Sequence, residues 1–255
     1  STRVRSSAAS DVYKRQQYYR LKLATKNIGV LYLLIEDGEL QQIPVDVKYY
    51  SFSVDTLNEL NYEPIEESII PGSNHFPVLQ FYKEHPEFLY YWNIEYDVYF
   101  NGKWESFFDP FEMIISDFIS SHIEWYTQRP KWDWWKSVQF KTLSIPQNRY
   151  LKSFNPIYRI SNRALKALDG VLSLRNSGHH EVVIPTVLDY LGYTINDFGG
   201  NSEFTLCELN IPCYLSNSEL NNWYTESTMR YRPVFNKEAI TRKGIDNMLY
   251  HPIKF

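Results

Sequence analysis

The sequence predicts a layered α/β fold in a single domain. Three observations carry that expectation. Residues 27–35 form a nearly continuous apolar run, residues 88–100 read as a long aromatic strand, and segments of helical periodicity alternate with them. A chain of 255 residues can build one large core, and no internal repeat, low-complexity stretch or Gly/Ser linker divides it.

The chain starts poorly. Ser1 to Gln16 has neither helical nor strand periodicity, and Ser6 to Gln16 resembles an in-frame translation of a sequencing-library adapter. The bland alternative is a natural basic tail. Residues 1–16 are therefore expected to be a non-native leader, with the domain in 17–255 lacking its natural start. Removing the leader's net +3 takes the chain's −4 to −7. An acidic chain grips nucleic acid weakly, so no nucleic-acid partner is expected. No stretch reaches the roughly 18 apolar residues that cross a bilayer. A cytoplasmic location is expected, while peripheral membrane association of the parent is left open by the lost start.

The elements follow in order. Asn27 to Ile35 suits a strand buried on both faces, ended by Asp37-Gly38. Residues 45–54 read as strand or loop. A short helix follows over 55–60, with Asp55 as its N-cap. Pro71-Gly72-Ser73-Asn74 is turn chemistry leading into a helix over 76–85. Residues 114–126 carry Ile115, Phe118, Ile119, Ile123 and Tyr126 at helical spacing, which predicts a helix. Two further helices are expected over 161–168, capped by Ser161, and over 182–191, with Pro185 in the first turn. From Phe204 onward the chain is loop-rich. Cys207 and Cys213 are too few for a disulfide framework and lack zinc-ligand spacing.

The strand at 88–100 holds the sharpest chemical signal. Alternation puts Trp92, Ile94, Tyr96, Val98 and Phe100 on one face, with Asn93, Glu95 and Asp97 on the other. Carboxylates two residues apart on a strand are about 7 Å apart at Cα, and a divalent cation with oxygen ligands would relieve their repulsion. The ordinary alternative is a solvated acidic face. Glu181 follows Ser177-Gly178-His179-His180 at a helix start, where it suits a general base or merely complements the helix dipole. His179 and His180 lack the His-Glu-x-x-His spacing of a zinc hydrolase. The aromatic cluster Trp125, Trp132, Trp134 and Trp135 suits either a sugar-stacking wall or a core under a loop.

Tyr91-Trp92-Asn93-Ile94-Glu95-Tyr96-Asp97-Val98, followed by Gly102-Lys103-Trp104, resembles the acidic signature of bacterial and fungal glycosyltransferase-like proteins of the GT-A type. The resemblance extends over most of 27–255. It implies a Rossmann-like domain whose central mixed, mostly parallel sheet is flanked by helices. Glu95 and Asp97 would be the acid-x-acid pair holding Mn²⁺ or Mg²⁺ against a nucleotide-sugar donor, although the commoner pattern starts with Asp. In Leu249-Tyr250-His251-Pro252-Ile253-Lys254, His251 would close the metal site, as a late His does in this family. Glu181 would deprotonate the acceptor if the transfer inverts, a role that disappears if it retains configuration; Arg230, Arg232 and Lys254 would neutralise the diphosphate, and Trp132, Trp134, Trp135 and His180 would bind the carbohydrate acceptor. The expected function is metal-dependent sugar transfer. The rivals are a glycoside hydrolase using paired carboxylates and a non-catalytic carbohydrate-binding domain.

Overall fold

The computed structural model describes residues 5–38, 43–65, 72–200, 202–206, 212–216 and 227–254, with side chains described from residue 14 onward. In chain order the elements are α1 (Arg5–Ala24), β1 (Leu33–Glu36), β2 (Tyr49–Phe52), α2 (Val54–Asn58), α3 (His75–Glu84), β3 (Tyr90–Ile94), β4 (Tyr99–Phe100), α4 (Trp104–Phe108), β5 (Phe118–Trp125), β6 (Leu151–Ser161), α5 (Asn162–Leu172), α6 (His180–Tyr190), β7 (Ile195–Asp197), β8 (Phe235–Asn236), α7 (Lys237–Lys243), β9 (Leu249–Tyr250) and β10 (Ile253–Lys254). Pro71 and Cys207 lie outside the described residues. No helix among the described residues is long and apolar enough to cross a membrane.

The fold is mixed α/β around a four-stranded sheet of order β3-β6-β5-β7. The expectation of a mostly parallel sheet is corrected: β3 and β5 both run antiparallel to β6, and β7 alone joins parallel, beside β5. The 126–150 loop brings the chain straight back from β5 to β6, so those neighbours are antiparallel. The parallel pairing arises where α5 and α6 carry the chain across.

Alternate residues of the sheet feed two cores. Tyr91, Phe118, Tyr158 and Ile160 join the core under α3, α5 and α6. Trp92, Ile119 and Ile157 join the other, with Trp104, Phe107, Phe108 and Phe111 around α4. Each such buried side chain contributes about 1.5–3 kcal/mol.

Several expected elements change. Residues 114–126 are not a helix; β5 occupies 118–125 and is buried on both faces. Register shifts between Ile119 and Ser121 and between Ser121 and Glu124 break strict alternation, so the apolar residues fall at helix-like intervals. The 27–35 run is not a buried central strand. Only Leu33–Glu36 pairs, with β2, and Ile28 and Val30 are exposed. Ser53, not Asp55, caps the helix after β2. Ser161 caps α5 as read, through the Ala164 N–H. Helix α6 starts at His180, so Pro185 stands in its second turn. Residues 5–16, read as aperiodic, lie in α1, whose Gln17 side chain donates to the Val98 carbonyl.

The strand read over 88–100 is two strands with a turn between them. Its first half ends at Ile94, paired with Ile157. The next partner, Pro156, accepts from the Glu95 N–H at 2.8 Å but has no N–H to return. The ladder stops there, and a turn closed by Val98 N–H to Glu95 C=O leads into β4.

Candidate metal centre

That turn sets the site. Glu95 and Asp97 do not share a strand face, as alternation suggested; they flank Tyr96 in the turn after β3. Strand β4 pairs antiparallel with β9, Tyr99 against Tyr250, which delivers His251 beside the turn. The Ile253 N–H donates to the Asp97 carbonyl at 3.0 Å and ties the C-terminal segment there. Residues some 150 positions apart are thereby locked into one geometry.

One ligand atom from each of Glu95, Asp97 and His251 lies within 4.8 Å of the other two. His251 Nε2 is 3.7 Å from Glu95 Oε2 and 3.5 Å from Asp97 Oδ1. These are charge contacts rather than hydrogen bonds, and Asp97 Oδ1 is buried with no hydrogen-bond partner among the described residues. On its other side, His251 Nδ1 sits 2.9 Å from the Arg230 carbonyl oxygen and donates to it. Burial works against the charged ring, but Asp97 and Glu95 outweigh it and hold His251 up at about 9. Two carboxylate oxygens and one imidazole nitrogen converging on one point call for a cation. A proton on His251 or a divalent ion meets that demand, and the set fits a first-row ion such as Mn²⁺.

Glu181 lies close enough to feel this centre. It is the second residue of α6, nearly buried, and accepts from the Asn155 N–H at 3.3 Å. Burial pushes its carboxyl up to about 7 and Glu95 adds to the rise, against Lys152, the Asn155 N–H and His251. Lys152 is buried in β6, 3.6 Å from Glu124. Asn155 also reaches His180, its amide 3.4 Å from that carbonyl.

The remaining expected site residues divide. Trp134 stacks on His179 at 4.3 Å between centroids, and Trp132 meets the same ring edge-on. Trp135 is buried, its indole N–H donated to the Arg129 carbonyl, so it belongs to the core and not to an open wall. These tryptophans lie in a 3₁₀ segment, Asp133–Ser137, and just before it, rather than in extended chain. Arg230 meets His251 through its backbone carbonyl, while its guanidinium covers the Phe235 ring and donates to the Pro233 carbonyl. The side chains of Arg232 and Lys254 are exposed.

Sequence reasoning missed Lys152 and Asn155. A lone Lys in Leu151-Lys152-Ser153-Phe154 was the available signal for the first. Asn155 carried none, because only the fold sets it against Glu181 and His180. No protein-family model, curated protein or solved structure matches this chain.

Proposed function

We propose that this chain is a metal-dependent glycosyltransferase, moving a sugar from a nucleotide-sugar donor to a carbohydrate acceptor. The observation that carries the reading is the buried oxygen of Asp97, without a hydrogen-bond partner among the described residues, facing an imidazole whose Nδ1–H is already committed to Arg230. Such a ring presents a bare Nε2 once deprotonated, as metal-ligating histidines do. Bound there, Mn²⁺ or Mg²⁺ would supply positive charge to the diphosphate of the leaving nucleotide. The imidazole nitrogen favours Mn²⁺ of the two.

The chain's own groups then account for the proton. Glu181, with a carboxyl near neutrality, accepts the acceptor's hydroxyl proton as its oxygen bonds to the anomeric carbon. The anomeric carbon–oxygen bond breaks, and its electron pair leaves with the diphosphate. This is the course of an inverting transfer. A cytoplasmic location goes with the same reading.

Thermal-shift measurements with UDP- and GDP-sugars, with and without Mn²⁺, test it. At least one nucleotide should stabilise the protein only with the metal, and Asp97→Ala should remove that response while the protein stays folded. No response from any nucleotide would sink the proposal.

A further inference from the structure

Nine buried side-chain polar atoms among the described residues have no hydrogen-bond partner, and four of them sit on three consecutive residues. These are Ser73 Oγ, Asn74 Oδ1 and both ring nitrogens of His75. Ser73 and His75 are only 1% and 3% exposed. Each buried polar atom left unmet costs about 1–3 kcal/mol, so a cluster of four needs a reason. A cheap internal remedy is at hand. Ser and Asn are preferred helix caps, and Asn74 stands at the N-cap of α3, yet its side chain makes no capping bond.

The cluster adjoins the catalytic groups. The His75 ring lies nearly parallel to that of His180 at 6.3 Å, and His180 is 4.7 Å from His179, on which Trp134 stacks. The His180 N–H donates to the Gly72 carbonyl. Gly72 has φ +95°, and a Cβ there would stand 2.7 Å from the His179 ring, so glycine permits this close approach. Glu181 follows His180 directly.

The donor set selects the ligand. Burial pushes His75 well below the ordinary histidine range, His180 to about 3 and His179 to about 2, so all three rings are neutral. With the rings neutral, none of the side chains of Ser73, Asn74, His75, His179 and His180 carries a charge, which suits an uncharged ligand. A neutral imidazole offers one donor and one acceptor, a serine hydroxyl both, and an amide oxygen accepts. Sugar hydroxyls, which also give and take, complement that set, and the half-buried Trp134, stacked on His179, stands beside it.

We infer that Ser73, Asn74 and His75 recognise the hydroxyl groups of an uncharged sugar ring beside Glu181. Calling that sugar the acceptor rests on the transferase reading; the sugar contact itself does not. Saturation-transfer NMR of the full chain tests it, with a panel of methyl glucoside, galactoside, mannoside and N-acetylglucosaminide. At least one glycoside should show transfer, reduced tenfold or more in both His75→Phe and Ser73→Ala. Both variants should melt no lower than the parent, because each removes an unpaired buried polar group. No contact from any glycoside, or contact undiminished in the two variants, overturns the inference. The Mn²⁺-dependent nucleotide response, measured on the same samples, should survive both substitutions. Its absence from the parent chain would count against the transferase reading and leave the sugar contact standing.

Discussion

The Nδ1–H of His251 is donated to the Arg230 carbonyl 2.9 Å away, which turns the opposite nitrogen toward Glu95 and Asp97. One backbone oxygen thereby fixes the tautomer and the aim of the ring. The bond has two independent supports: the Arg230 N–H donates back to the His251 carbonyl, and β9 holds His251 in register with β4. A flexible histidine would lose entropy on binding an ion, whereas this one is already placed.

Metal affinity should follow from the proton that His251 carries. Its carboxylate neighbours hold it at about 9, so at neutral pH a divalent ion displaces a proton from Nε2. Affinity for Mn²⁺ should therefore rise with pH, about tenfold per unit, and level off near pH 9. Isothermal titration at pH 6.5, 7.5 and 8.5 in buffers of different ionisation enthalpy would report both the slope and the released proton. A flat profile would mean that His251 is not a ligand.

The acid limb of stability should be set by buried histidines. His122 and His180 are pushed to about 3, His179 to about 2, and His75 well below its usual value, all chiefly by burial. Between about pH 3 and 6.5 the unfolded chain binds up to four protons that the folded chain refuses, so stability rises with pH. Glu181 and Asp197, raised by burial to about 7, work the other way, since the folded chain keeps protons that the unfolded one has lost. Four groups outweigh two, and the net slope stays positive up to about pH 6.5. Above that, His251 holds a proton in the fold up to about 9 and stability falls. Urea midpoints across pH 4–9 should peak near pH 6.5.

Asp117 should be the costliest single acid to remove. It is buried at the start of β5 and accepts from the Arg163 guanidinium, the Ser161 hydroxyl, and the Thr194 N–H and hydroxyl. Burial alone would raise its carboxyl, yet these donors hold it below the usual aspartate value. Asp117→Ala unpairs donors from α5 and from the approach to β7, and should cost about 3–5 kcal/mol in chemical denaturation. Arg163→Ala should cost much less, because that side chain is largely exposed.

Chemical oddity was legible in the sequence where packing was not. Two acids among aromatics and a His-Pro near the end stood out because apolar surroundings make such groups expensive. The turn that seats Glu95 and Asp97 did not stand out, because it depends on Pro156, more than 50 residues away, refusing a hydrogen bond. Strand β6 went unread for a related reason. Lys152 and Arg159 look like surface residues, but Lys152 is paired with Glu124, and Arg159 is spent on the carbonyls of Phe111, Ile114 and Ser116. Charges satisfied by distant partners cannot be recognised as interior from local pattern. In β5, bulges disguised a strand as a helix by the same loss of local regularity.

Glu181→Gln separates the roles of the two acidic groups. The amide preserves size and can still accept from the Asn155 N–H, so the fold and the approach to Asn155 should survive. What it loses is the ability to take a proton, a contribution of about 10²–10⁴ in rate for a positioned general base. Turnover should fall by that factor while Mn²⁺ affinity stays within about threefold, since Glu181 is not among the converging ligands. Asp97→Asn should do the reverse, weakening the metal first. The rate profile of the parent should also show a rising limb with a midpoint near pH 7, where Glu181 ionises, and the Gln variant should lack it. If Glu181→Gln keeps full turnover, the proton must go elsewhere, and the carboxylate beside Asn155 is a structural group only.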